Sequence, residues 1–229
     1  VAGRPSVSPD PTPTSDRCGR LHRIDAVAID IHGDRTLCGP DCNAFLTKWG
    51  RWWGGQSERP VALLVAGPGY KARCGQKTRN MVSKADRLYT FRPFEHNDEI
   101  EAMHEINVSR PARQGKPMSD RYRRPPIPIV RPWQTCDLHQ SLWWGAFDVD
   151  GRLRGYCNLI RLNDLGVVNT ILGHGDAAAS VNGLIAHMAE SSGVRWIHYL
   201  TLASSSPTLA AFKRRCGFRE YRVLQGATA

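Results

Sequence analysis

The stretch VVNTILGHGDAAASVNGLIAHM, residues 167–188, decides how this chain is read. Its first six residues, Val167 to Leu172, are mostly β-branched or apolar. Such side chains fit a pleated, half-buried surface, so a strand is expected. Gly173-His174-Gly175 breaks the run, and Asp176 stands where a helix should open. Val181, Leu184, Ile185 and Met188 then recur at helical spacing, giving a helix with one apolar face.

The neighbouring segments extend this unit in both directions. Upstream, Trp143 to Val149 and Leu153 to Arg161 alternate and join at Asp150-Gly151, a dipeptide suited to the positive φ angles of a tight hairpin. The Asn163-Asp164 turn leads from the second run into the Val167 run. Earlier still, Leu88 to Phe94 reads as a strand, and Asn97 caps a helix through Ile100, Met103, His104 and Ile106. Arg110 to Pro132 is basic and rich in proline, so a long loop with at most a short helix around Asp120 is expected. Downstream, Trp196 to Leu202 is a strand, Ser206-Pro207 starts a helix, and Phe218 to Leu224 is a final strand. The order β-α-loop-β-β-β-α-β-α-β defines an α/β fold, a mixed, mostly antiparallel sheet flanked by helices.

The N-terminal third is less regular. Residues 1–17 are rich in Pro, Ser and Thr and read as a disordered tail. Residues 18–85 hold an alternating run from Ile24 to Ile31, a Cys38-Gly-Pro-Asp-Cys42 turn, aromatics at Trp49, Trp52 and Trp53, and an apolar run from Val61 to Ala66. They read as an N-terminal extension with a small sheet of its own, with the main domain at residues 86–229.

A chain of 229 residues can bury one good core. Its 31 Lys and Arg against 21 Asp and Glu give a net charge of +10, which favours anionic partners. No apolar run approaches the ~20 residues that cross a bilayer, and the opening segment lacks the apolar core of a secretory signal. Neither membrane insertion nor signal-directed secretion is expected. Seven cysteines at irregular spacing read as reduced thiols, hence a cytoplasmic protein. Cys38 and Cys42, with Cys18, Cys74 or His32, fall within zinc-ligand spacing but lack a matching second pair at compact spacing. Ordinary buried thiols are expected there, zinc is the less favoured reading, and no metal is assigned.

This order of elements, with two local motifs, resembles the GCN5-related N-acetyltransferase (GNAT) superfamily over residues 86–225. One motif is SPTLAAFKRRCGFREY at residues 206–221, similar to the family's last helix and the Gly-Phe turn into its final strand. Gly217 suits a left-handed helix stop, and Phe218 would re-enter the core. The other is the Gly173-His174-Gly175 junction. The resemblance implies that backbone amides of Ile171, Leu172, Gly173, His174, Gly175, Asp176 and Ala177 hold the diphosphate of an acyl-CoA, usually acetyl-CoA, helped by the positive end of the helix. It also implies a gap between the fourth and fifth strands for the thioester carbonyl. Thr170 stands where the family usually has Gln or Arg, Asp176 brings a negative charge to the loop, and Lys213 occupies the position of the family's usual tyrosine acid.

Acylation of an amine needs a group that removes a proton and donors that stabilise an oxyanion. His198, His174 and Asp164 are candidate bases; Ser204 and Ser205 are candidate donors; Lys213 is a candidate for stabilising the thiolate. Two blocks concentrate the basic charge. Lys71 to Arg92 holds seven basic residues against Asp86 alone, and Arg110 to Arg131 holds seven against Asp120 alone. Such blocks can neutralise runs of phosphates. Arg110, Arg113, Gln114, Lys116 and Tyr122 are therefore candidates for holding a polyanionic acceptor such as DNA or tRNA, with Trp133 or Trp143 stacking on a base. The expected activity is transfer of an acyl group from acyl-CoA to an amine. Two alternatives stand beside it: an aminoacyl-tRNA-dependent transferase, and a non-catalytic nucleic-acid-binding module with a degenerate donor site.

Overall fold

Apolar runs from both ends of the chain meet in one eight-stranded sheet. The protein is seen in a computed structural model that describes residues 12–15, 21–54, 60–113 and 116–224. The strands are β1 (Thr12–Ser15), β2 (Leu21–Ile24), β3 (Ala26–Ala28), β4 (Val61–Val65), β5 (Thr90–Pro93), β6 (Ala112–Arg113), β7 (Lys116–Pro117), β8 (His139–Phe147), β9 (Leu153–Leu162), β10 (Leu165–Gly173), β11 (Trp196–His198) and β12 (Arg219–Leu224). The helices are α1 (Cys42–Gly54), α2 (Tyr70–Arg73), α3 (Gln76–Leu88), α4 (Ile100–Val108), α5 (Asp120–Arg123), α6 (Ser180–Ser191) and α7 (Pro207–Arg215). The main sheet runs β3-β12-β4-β11-β10-β9-β8-β5. Only β10–β11 and β3–β12 pair in parallel, so the mixed, mostly antiparallel sheet expected from the sequence is present.

The N-terminal extension differs from its sequence reading. β4 belongs to the main sheet, inserted between β11 and β12 and antiparallel to both. Val61, Ala62 and Leu63 have no exposed surface, and a strand apolar on both faces is stable only inside a sheet. β3 extends the same sheet beyond β12. Thr12–Ser15, assigned to the disordered tail, pairs with β2, while residues 1–11 and 16–20 lie outside the described residues. The sequence reading also places no helix at α1 or α3. In α3, Thr78, Val82 and Ala85 recur every three to four residues on the buried side, a pattern diluted by the seven charged or amide side chains of the helix.

Helices cover both faces. On one, α2, α3, α6 and α7 pack over Leu64, Cys157, Leu159 and Ile197. On the other, Phe45 and Leu46 of α1 meet Val61, Leu63, Ile160, Leu165 and Trp196, while Met103 and Ile106 of α4 meet Phe147, Tyr156 and Leu172. Gly217 adopts φ +87° and ends α7 as the sequence predicts; the Phe218 amide donates to the Lys213 carbonyl at 3.0 Å, and Phe218 is buried. No helix among the described residues is long and apolar enough to cross a membrane.

Because Leu63 is enclosed between β11 and β12, Leu63→Ala should cost roughly 2–5 kcal/mol. In urea unfolding followed by both fluorescence and circular dichroism, the whole transition should move as one. A variant that shifts only one of two separate transitions would show that the extension folds as its own unit.

Candidate active site

β10 and β11 pair in parallel at only three positions, Leu165↔Trp196, Gly166↔Ile197 and Val167↔His198. Beyond them β10 continues to Gly173 paired with β9 alone, and its register to β9 slips between Val168 and Thr170. This bulge leaves Asn169 as the extra residue and turns the strand locally. The result is a gap inside the sheet. On its β11 side, the backbone of residues 168–172 has no strand partner.

The other wall is shaped by how the chain leaves β11. The Tyr199 amide donates to the Ala62 carbonyl at 3.1 Å and the Ala62 amide to the Leu200 carbonyl at 2.8 Å, so the chain stays with β4 rather than β10. Leu200 takes φ +54° at the turn. Lys213, with 0% exposure, reaches from α7 and donates to the Tyr199 carbonyl at 2.7 Å, the Ser205 hydroxyl at 2.9 Å and the Thr201 carbonyl at 3.2 Å. It also lies over the Tyr199 ring at 4.3 Å, a cation–π contact. All three ammonium protons are thus engaged, and among the described residues no carboxylate pairs with it. Burial lowers its pKa to about 8. Lys213 is a positioning residue that fixes the 199–205 turn.

The remaining predicted catalytic residues do not converge. His198 sits at the last paired position, 1% exposed, and burial followed by the Lys213 charge pulls it down to about 4. It is neutral at pH 7 but accepts a proton poorly. Asp164 lies in the β9–β10 turn, nine residues and roughly 30 Å along the strand from Gly173. Burial raises its pKa, and its carbonyl accepts the amides of Arg195 and Trp196. Ser205 meets Lys213 and donates to the Thr201 carbonyl; Ser204 pairs with the Thr201 hydroxyl.

The Gly173–Ala177 junction is a closed turn. The His174 amide donates to the Arg154 carbonyl, the Gly175 amide to Ser109 Oγ at 3.0 Å, the Ala177 amide to the His174 carbonyl and the Ser180 amide to the Ala177 carbonyl. These turns delay the helix, so α6 starts at Ser180 instead of Asp176. Both carboxylate oxygens of Asp176 accept from Arg154 Nη2, and Oδ1 also meets His174 Nδ1. His174 and Arg154 together hold its carboxyl below the usual range, so Asp176 is an ionised carboxylate paired with the Arg154 guanidinium. Gly173 is required for close packing, since a Cβ there would lie 2.7 Å from Ser180 Oγ. Among the described residues, the amides of Ala178, Ala179 and Val181 carry no hydrogen bond.

Two of the candidate acceptor residues close the same turn. Arg113 donates to the Gly173 carbonyl at 2.8 Å and the Ile106 carbonyl at 2.9 Å, and Arg110 donates to the Gly175 carbonyl. Both guanidiniums therefore tie the end of α4 to the junction. Tyr122 packs against the cluster of Met103, Ile106 and Tyr156, whereas Trp133 packs edge-on against Phe45 of α1 at 5.7 Å. Gln114 and the Lys116 side chain lie outside the described residues.

Sequence reasoning missed a polar chain beside the gap. Asn169 Nδ2 donates to Asn158 Oδ1 at 2.9 Å, and Asn158 Nδ2 donates to Ser141 Oγ at 2.9 Å. Asn158 is 2% exposed at the centre of β9, opposite Trp143 on β8. The available signal was an amide on the buried side of a strand, flanked two residues away by Tyr156 and Ile160, where a polar group needs partners to be tolerated.

A cavity of about 620 Å³ lies elsewhere, between the start of α3, the end of α7 and the β4–β12 edge. Arg73, Lys77, Arg214, Arg215 and Arg219 line it, and no Asp or Glu does. It joins part of the first basic block to the Lys-Arg-Arg run of α7.

No family model and no curated protein matches the chain. Among solved structures it is similar to the C-terminal domain of a protein named as a lysylphosphatidylglycerol synthetase from Agrobacterium fabrum, with 14% identity and a TM-score of 0.45 over 71% of this chain and 57% of that one. It is similar to L-PGS from Bacillus licheniformis, with 12% identity and a TM-score of 0.43 over 71% and 60% of the two chains. A tandem GNAT protein from the clavulanic acid biosynthesis pathway gives 14% identity and a TM-score of 0.34 over 71% and 51%. The chain thus spans between 51% and 60% of the structures it resembles. These are likenesses of fold.

Between about pH 8 and the ordinary lysine value of 10.5, the unfolded chain keeps the Lys213 proton that the folded chain has lost. Lys213 therefore opposes folding most below pH 8, and its contribution to stability rises with pH across that window. Urea unfolding of wild type and Lys213→Met at a series of pH values should show the wild type gaining on the variant from about pH 8 to 10.5. A constant difference would show that Lys213 keeps an ordinary pKa.

Proposed function

We propose that this protein is an acyltransferase that joins an activated acyl group to an amine in the gap between β10 and β11. The observation that carries this reading is the parting of the two strands after Val167 and His198, beside the β10 bulge. The acyl carbonyl lies where strand pairing stops, and an amide from residues 168–172 donates to its oxygen as negative charge develops. The amine approaches past Asn169. The Nδ2 of that residue is held by Asn158, which leaves Oδ1 to accept a hydrogen bond from the amine N–H. Nitrogen attacks the carbonyl carbon, the bond to the leaving group breaks, and the nitrogen's proton passes to water, since His198 is too weak a base.

The donor of the first reading is an acyl-CoA thioester. Its diphosphate would sit on the unbonded amides of Ala178, Ala179 and Val181 at the positive end of α6, a short step beyond the closed Gly173–Ala177 turn. A second reading, an aminoacyl-tRNA donor, is supported by that closed turn and by the cationic cavity at α3 and α7. Five cations without a carboxylate suit a nucleic-acid backbone.

Calorimetric titration with acetyl-CoA and with aminoacyl-tRNA separates these readings. The first expects acetyl-CoA to bind and its thiol to be released when primary amines are added. The second expects tight, salt-sensitive tRNA binding without acetyl-CoA binding. With whichever donor is used, Asn169→Ala should lower kcat/KM about 10- to 100-fold, the worth of one hydrogen bond to a charged group. Nucleic-acid binding without any acyl transfer would replace both readings with a non-catalytic module.

A further inference from the structure

Four donor atoms converge where the N-terminal segment crosses the start of β8. Cys42 is the first residue of α1 and His139 the first of β8, while Cys38 and Cys136 lie in the loops just before them. The three Sγ atoms and the imidazole nitrogen all lie within 4.8 Å of one another. Cys42 and Cys136 are 3.7 Å apart, and His139 Nδ1 is 3.2 Å from Cys136 Sγ and 3.9 Å from Cys38 Sγ. A tetrahedral zinc with Zn–S about 2.3 Å and Zn–N about 2.0 Å has S···S edges of ~3.8 Å and S···N edges of ~3.5 Å. The donors already stand near those spacings.

The backbone holds them there independently of the thiols. Asp41 N–H donates to the Gln134 carbonyl at 3.2 Å, and Gln134 N–H donates to Asp41 Oδ2 at 2.8 Å. Gly39 lets the loops touch, since a Cβ there would lie 2.6 Å from the Gln134 carbonyl oxygen. His139 is buried with Nε2 3.1 Å from the Ile31 carbonyl. Nε2 must carry the proton to donate there, which leaves the Nδ1 lone pair facing the sulfurs, the outer-shell arrangement of a metal-bound histidine. Cys74 and His32, considered as ligands from the sequence, are not in the cluster. Cys74 is buried on the opposite face with Tyr70, and Cys18 lies outside the described residues.

We propose that Cys38, Cys42, Cys136 and His139 bind one zinc ion in a closed structural site. Three thiolates and a neutral imidazole match zinc's preference for sulfur and nitrogen, and four protein ligands leave no position for substrate. Binding would displace the thiol protons and pin α1 and the N-terminal segment to β8, the strand that carries Ser141 and Trp143. A disulfide would use only two of the four groups and would need Cys42 and Cys136 to close from 3.7 Å to about 2.05 Å.

Elemental analysis and native mass spectrometry of the full chain, purified without chelator, test the site. One zinc per chain is expected, and replacement by cobalt should give tetrahedral ligand-field bands with thiolate-to-cobalt charge transfer. Cys136→Ser should lose the metal and Cys74→Ser should keep it. If Cys136→Ser does not fold, wild-type stoichiometry and the cobalt spectrum still decide. A metal-free wild type, a cobalt spectrum without charge transfer, or a mass showing a Cys42–Cys136 disulfide would overturn the proposal.

Discussion

A strand inside a sheet must satisfy its amides on both sides, and β10 does so on the β11 side for only three residues. Everything around the candidate site follows from that shortfall. β11 leans toward β4, and β10 bulges at Asn169. Between them backbone groups of β10 meet no strand, and a polar ligand group there would complete an unfinished ladder.

Holding such a gap open has a cost that is visible in Lys213. An ammonium with no exposed surface and no carboxylate partner is unfavourable, and burial lowers its pKa toward 8. Three well-placed acceptors offset this by fixing the turn after β11. On the β10 side, Ser109, Arg110 and Arg113 brace the strand end against α4. Both walls are thus set by hydrogen bonds to backbone carbonyls or amides, the kind of rigid support a positioned reaction needs.

Much of the fold was legible because the deciding signals are local. The Asp150-Gly151 hairpin, the run into Gly173 and the Gly217-Phe218 turn each declare their conformation within a few residues. The place of β4 was not legible, because an apolar five-residue run does not say which sheet it enters. The gap could be anticipated only through the family resemblance, and the closure of the Gly173 turn could not, since Ser109 and Gly175 are 66 positions apart. Arg110 and Arg113 read as acceptor contacts because a basic loop looks the same whether its guanidiniums meet phosphates or carbonyls. The thiol–imidazole cluster was hidden similarly: its two halves, Cys38-x3-Cys42 and Cys136-x2-His139, are 94 residues apart.

Hydrogen–deuterium exchange of the full chain with and without the bound acyl donor tests the gap most directly. Protection on donor binding should concentrate in residues 168–172 and 199–205, where β10 lacks a partner and Lys213 holds the opposite wall. Protection confined to the start of α3 and the end of α7, with exchange at 168–172 unchanged, would contradict the account.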